Sequence, residues 1–301
     1  MELNTDTPIQ AIELPWLREA SIGLLMKRDD LIHPFISGNK WRKLKYNIEE
    51  AQRQGKGCIT TFGGAYSNHL IATACAGAIY GLKTIGIVRG EELNSSSNLV
   101  LKIAAEFGMD LQFVARDVFK DLINIGSAHS CFKESFPSFV IPDGGSNELG
   151  VKGCMEILNK NEALDFDHIL LPVGTATTMC GMVCTPGLKA HVHGIAAVKD
   201  DERHQSELLK YCSHRIGDYT LHTNYDFGGF GKSNGALRQF ARSFAASTGI
   251  LLDPVYNAKA MMALFQMVKN GEIPRGSRVL YINTGGLTGI LSNAWLKQDV
   301  L

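Results

Sequence analysis

No sign of charge dominates the sequence: 30 Lys and Arg stand against 30 Asp and Glu. A chain balanced in this way lacks the basic field of a nucleic-acid or polyanion binder. No apolar stretch approaches the ~18 residues that a membrane span needs. The opening residues, MELNTDTPIQ, lack a basic region followed by an apolar run, so no secretory signal is expected. The seven cysteines (Cys58, Cys75, Cys131, Cys154, Cys180, Cys184 and Cys212) are odd in number and none sits in a C-x-x-C pair. That argues against a disulfide framework and for a reducing, cytoplasmic setting. Internal repeats, low-complexity segments and Pro/Gly/Ser-rich linkers are missing too. No strand is followed by G-x-G-x-x-G. Gly231-Lys232-Ser233 fails as a P-loop, because Asp226 stands where the first glycine is needed.

What is present is a chain of 301 residues, 45% hydrophobic and 20% charged. It is long enough for one large or two medium domains with real cores. Short β-favouring runs appear at 57–61, 83–88, 110–115, 138–142, 168–173, 191–198 and 278–283. Between them the spacing predicts helices over 67–80, 97–107, 117–126, 148–160, from about 178, and over 202–212. Near-continuous apolar strands alternating with helices predict parallel sheets covered on both faces, an α/β fold. The strands outnumber those of one domain of ~150 residues. Two sheets are therefore expected, the second inserted into the first because no linker marks a boundary.

In open α/β sheets ligands sit beyond the carboxyl ends of strands, so the strand-to-helix turns carry the chemistry. Gly174-Thr175-Ala176-Thr177-Thr178 follows an apolar strand and opens a helix. Small residues and hydroxyls there suit a phosphate, in a cradle without a lysine; a threonine-capped tight turn is the plain alternative. Lys40, behind Gly38 at a helix start, lies near the positive end of the macrodipole. That helps keep its amine unprotonated and nucleophilic; a solvated surface lysine is its plain alternative. His191 and His193 alternate along one strand without a matching Cys or carboxylate pattern, so no metal site is expected. Cys180 and Cys184, one helical turn apart, read as buried thiols.

SGNKWRKLKY (37–46) resembles the Schiff-base lysine segment of one enzyme family. This is the 1-aminocyclopropane-1-carboxylate (ACC) deaminase and D-cysteine desulfhydrase family. Its members are fold-type II enzymes using pyridoxal 5'-phosphate (PLP), related to the β subunit of tryptophan synthase. GGAYSNH (63–69), IPDGGSNELG (141–150), the threonine turn, LDPVYNAK (252–259) and NTGGLTG (283–289) extend the resemblance, in order, over most of the chain.

The resemblance implies two three-layer α/β/α domains with the cofactor in the cleft between them. Residues 1–45 and 147–301 would form the large domain and 46–146 the inserted one. It implies that Lys40 carries the cofactor and moves protons. Asn68 would bond the cofactor 3-hydroxyl. Ser67 would contact the substrate carboxylate and serve as a base. His69, where the family often has Gln, would donate to that carboxylate. Thr175, Ala176, Thr177 and Thr178 would hold the phosphate, Tyr256 would face the substrate side of the ring, and Thr284 would border it.

Two departures bear on activity. ACC deaminases place Glu at the pyridine nitrogen and D-cysteine desulfhydrases tend to have Thr there, whereas this chain has Asn257. ACC deaminases also carry a second active-site tyrosine where this chain has Phe227, with Tyr225 two residues away; both are candidate substrate contacts. The implied reaction removes the α-proton of a small amino acid, expels the β-substituent and releases ammonia and a 2-oxo acid. D-cysteine would give pyruvate, sulfide and ammonia. Ring opening of ACC to 2-oxobutanoate is the alternative. A β-replacing synthase, a racemase and a non-enzymatic PLP-binding protein stand behind it. A homodimer without metal, nucleic acid or membrane is expected.

Overall fold

A strand such as His-Ile-Leu-Leu-Pro-Val has apolar side chains on both faces, which only a sheet covered on both sides can bury. The computed structural model describes residues 3–36, 38–125, 137–159, 162, 166–198, 201–212, 217–229, 231–287 and 290. Ser37, Cys131, Phe230, Thr288, Gly289 and the final residues of the helices expected to reach 126 and 160 lie outside the described residues.

The chain opens with β1 (Ile9–Ile12), α1 (Pro15–Glu19) and β2 (Gly23–Lys27), followed by α2 (Asn39–Arg53). Next come β3 (Cys58–Gly64), α3 (Asn68–Tyr80), β4 (Lys83–Arg89), α4 (Leu99–Glu106), β5 (Asp110–Val114), α5 (Arg116–Ile125), β6 (Phe139–Ile141) and α6 (Glu148–Cys154). The remainder is β7 (His168–Val173), α7 (Thr177–Val183), β8 (His191–Ala196), α8 (Asp201–Cys212), β9 (Tyr219–His222), α9 (Gly235–Thr248), α10 (Asn257–Lys269) and β10 (Arg278–Ile282).

Two sheets result. One has the order β1-β2-β10-β7-β8-β9 and the other β5-β4-β3-β6. Every pairing is parallel except β1 with β2, so the larger sheet is mixed at its edge. Period-two alternation sorts the cores. On β7, Ile169, Leu171 and Val173 join Val151, Met179 and Leu208 of α6, α7 and α8. Leu170 points the other way, to Phe244, Met261 and Leu264 of α9 and α10. In the smaller sheet Ile59 and Ile141 meet α2 and α3, while Phe62 and Ile87 meet Phe119 and Leu122 of α5. Helices thus cover both faces of each sheet, the three-layer α/β/α arrangement of a fold-type II enzyme.

Two expectations shift. The boundary between residues 45 and 46 falls inside α2, which is continuous. Its Trp41, Leu44, Ile48 and Ala51 share one core with β3, β6 and α3 of the smaller sheet. The helix expected over 148–160 ends at Cys154. Beyond it the chain turns, and Ile157 and Leu158 fill the core from irregular backbone.

Candidate active site

The carboxyl ends of β3, β7 and β10 bring three turns together beside the start of α2. The N-cap of α2 is Gly38, at φ 60°. A Cβ there would stand 1.8 Å from the Thr284 carbonyl oxygen, so only glycine lets the two turns touch. The Asn39 N–H donates to the same carbonyl at 3.4 Å, and its side-chain amide donates to Thr178 Oγ1 at 2.9 Å. Lys40 is thereby fixed between the turns after β7 and β10. Burial of its amine, and then the positive charge of Lys43, pull Lys40 down from 10.5 to about 7.

The threonine turn does have a lysine. Lys43, one helical turn beyond Lys40 and 1% exposed, donates to Thr175 Oγ1 at 2.8 Å and to the Gly144 carbonyl at 3.0 Å. Thr175 and Thr177 share a hydrogen bond of 3.1 Å, and Thr177 donates to Ser146 Oγ at 3.0 Å. The Ala176 N–H donates to Glu207 of α8 at 2.6 Å. The turn thus gathers Lys43, the hydroxyls of Thr175, Thr177 and Ser146, and the Glu207 carboxylate, which occupies the Ala176 N–H expected at the phosphate. Sequence reading missed Lys43, although the signal was present: residues 40 and 43 of one helix lie on the same face.

At the start of α3, Ser67 is the N-cap, and its hydroxyl accepts the His69 N–H at 3.2 Å. Asn68 lies against the glycine turn after β10: a Cβ on Gly286 would be 2.7 Å from Asn68 Nδ2. His69 departs from expectation. It is 1% exposed, and its Nε2 lies 3.0 Å from Thr61 Oγ1. The Thr61 hydroxyl donates to the Ile141 carbonyl at 2.8 Å, so it must accept from the imidazole. Nε2 therefore carries the proton and Nδ1 is a bare acceptor, buried without a partner. Burial, then the charges of Lys40 and Lys43, hold His69 well below its ordinary pKa. A neutral imidazole with its one N–H engaged cannot donate to a carboxylate.

The start of α10 supplies Tyr256 and Asn257. The Tyr256 ring packs against Gly174, where a Cβ would be 2.9 Å from the ring edge. Asp253 accepts the N–H groups of Val255, Tyr256 and Asn257 at 3.0, 2.9 and 2.8 Å. Burial nevertheless raises the pKa of Asp253. Asn257, 0% exposed, donates to Asp253 and to the Gly285 carbonyl. Its amide also faces Thr284 Oγ1 at 3.2 Å, so it is bonded to the turn after β10.

Tyr225 is corrected as well. It lies in the core, and its hydroxyl donates to Glu272 at 3.0 Å. Glu272 follows the carboxyl end of α10, a helix ~20 Å long that begins at Asn257, so this hydroxyl faces away from the site. Phe227 sits in a turn at φ 47°, packed on the same core. His193 bonds His168 and His222 at 3.1 and 3.0 Å. Among the described residues no group of three His, Cys, Asp or Glu could hold a metal, and no helix is long and apolar enough to cross a membrane.

Comparison with known proteins places this geometry. A family model described as pyridoxal-phosphate dependent enzyme matches residues 2–285. A Pyrococcus horikoshii protein, provisionally named a 1-aminocyclopropane-1-carboxylate deaminase, is 33% identical over 94% of this chain and 90% of its own. The bifunctional D-cysteine desulfhydrase/1-aminocyclopropane-1-carboxylate deaminase of Arabidopsis thaliana, a mitochondrial protein, is 30% identical over 98% of this chain and 82% of its own. The crystal structure of an ACC deaminase homologue superposes with a TM-score of 0.76 at 28% identity, covering 94% of this chain and 90% of that one.

Proposed function

This chain belongs to the pyridoxal-phosphate-dependent enzymes, and we propose that it acts on D-cysteine, which with water gives pyruvate, sulfide and ammonia. The residues present fit the cofactor. Lys43 with the hydroxyls of Thr175, Thr177 and Thr178 is a donor set for a dianionic phosphate. Lys40, held near a pKa of 7, offers a free amine to an aldehyde at neutral pH. When bound, the cofactor supplies an electron-withdrawing ring that acidifies the α-carbon of an attached amine.

The remaining work falls to the chain. Lys40 Nζ takes the α-proton and holds it for return, its pKa matched to neutral conditions. Ser67 Oγ and the N–H groups at the start of α3 bind the substrate carboxylate. Asn68 bonds the cofactor 3-hydroxyl in this proposal, and Tyr256 closes the substrate side.

One observation carries the choice of D-cysteine. The position that ACC deaminases fill with a carboxylate holds Asn257, whose amide is satisfied inside the protein. ACC has no α-proton, and opening its ring demands strong electron withdrawal. D-cysteine has an acidified α-proton and a good leaving group, so elimination demands less. The plant relative, named for both activities, supports the two chemistries sharing one scaffold. An inserted domain built on the smaller sheet and including α2 is part of the proposal, supported by the shared core of α2, β3, β6 and α3. So are the homodimer, on family resemblance, and a reducing setting, on six free thiols.

The test is release of pyruvate or 2-oxobutanoate from D-cysteine, L-cysteine, D-serine and ACC, with and without an added thiol to reveal β-replacement. D-cysteine should show the highest kcat/KM. Turnover of ACC at or above that level refutes the assignment.

A further inference from the structure

Helix α8 grips the threonine turn and its surroundings at three points. His204 Nε2 lies 2.9 Å from the Gly174 carbonyl, which can only accept, so the ring donates. The Tyr211 hydroxyl donates to the Ser146 carbonyl at 3.1 Å. Between these two in sequence, Glu207 accepts the Ala176 N–H at 2.6 Å. The helix is seated against α7 by the buried Leu208 and Cys212. The Cys180 thiol of α7 also donates to the Glu207 carbonyl at 3.8 Å. The backbone at Glu207 is therefore held, and only its side-chain torsions are left to move the carboxylate.

A carboxylate in this position works against an anion site. The turn otherwise offers donors: Lys43 on Thr175, and the hydroxyls of Thr175, Thr177 and Ser146. The Ala176 N–H has one hydrogen, and at 2.6 Å the carboxylate takes all of it. A phosphate lodged beside the same ionised carboxylate would be repelled at close range. Glu207 reaches the cation of the cradle as well. Burial lowers the pKa of Lys43, and Glu207 is among the groups that act against that shift. One acidic side chain thus engages a main-chain donor and acts on the cation that a phosphate would use.

We propose that Glu207 is an internal competitor of the cofactor phosphate. Its carboxylate and the phosphate take the Ala176 N–H in turn, and binding of the cofactor requires the carboxylate to swing away. Glu207 thereby lowers the affinity for PLP and keeps the cofactor exchangeable. The inference rests on reading this turn as the cofactor's phosphate site and is independent of the amino acid assigned as substrate.

The test titrates apo protein with PLP and with pyridoxal, which lacks the phosphate. Glu207→Gln removes the charge-assisted contact, so its affinity for PLP should rise about tenfold over wild type. Glu207→Asp keeps the charge but withdraws it by one methylene from the N–H, and should also bind PLP more tightly, by about threefold or more. Pyridoxal should bind all three proteins alike, which also reports an intact Lys40 pocket in the variants. Unchanged or weaker PLP binding by Glu207→Gln overturns the proposal. So does a gain confined to Glu207→Gln, which would make the effect one of net charge and not of the contact. A gain shared equally by pyridoxal, or loss of pyridoxal binding in the variants, overturns it too, since neither acts through the phosphate. The expected gains without D-cysteine turnover would count against the substrate only.

Discussion

Replacing Lys43 with Met removes a buried charge while keeping the length and volume of the side chain. The lysine amine bonds Gly144 and Thr175 and is the cation of the phosphate cradle. A charge-assisted bond to phosphate contributes about 1.5–3 kcal/mol. At about 1.4 kcal/mol per factor of ten, PLP affinity should fall roughly 10- to 150-fold. A second effect has a definite sign. The Lys43 charge helps depress Lys40, so its removal should raise the Lys40 pKa above about 7. Covalent capture of PLP on Lys40 should then become half-maximal at a higher pH. The assay mixes apo protein with PLP across a pH series, quenches with borohydride and quantifies reduced cofactor by absorbance. Affinity within twofold of wild type, or a capture profile moved to lower pH, would show that Lys43 neither holds the phosphate nor tunes its neighbour.

Three further outcomes are expected. Borohydride should fix the cofactor on Lys40, read by peptide mapping; label on Lys43 or Lys45 contradicts the site. Gly38→Ala forces a side chain into the Thr284 carbonyl at positive φ, which should cost about 2–4 kcal/mol of stability and weaken PLP binding; a wild-type melting curve would be inconsistent with the locked turn. Finally, the Lys40 pKa is near 7 in the fold against 10.5 in an unfolded chain. The unfolded state binds more protons in that window, so apo stability should rise with pH from about 7 toward 10. Lys40→Met should flatten the rise, and an equal slope in both proteins would refute it.

The sequence showed most clearly the elements whose pattern is local. β3 to β8 and β10 stand where apolar runs meet glycine-bearing turns. β1 and β2 were missed because Ile-Gln-Ala-Ile and Gly-Leu-Leu-Met-Lys are short and lack such flanks. The helical patterns of α9 and α10 were overlooked. At the site, Lys40 was visible through its neighbours in sequence. Lys43 meets Thr175 only through the fold, 132 residues away. The residue type at 257 was legible, but not that both ends of its amide are occupied. His69 reads as a donor until Thr61, across the turn from β3 to α3, accepts its one N–H.

The larger sheet is sewn shut by the last of its described strands. β10 lies between β2 and β7, joining stretches of chain about 250 residues apart. On a ribosome, where the N-terminus emerges first, the β3–β6 sheet can complete while β2 still waits for its inner neighbour. Hydrophobic Leu24 and Met26 must remain shielded by other means throughout synthesis. Asn283–Gly286, the turn that anchors Gly38, is also made later than the turns after β3 and β7. Cofactor loading should therefore follow translation of Asn283–Gly286, and a nascent polypeptide halted before Arg278 should not be rescued by PLP.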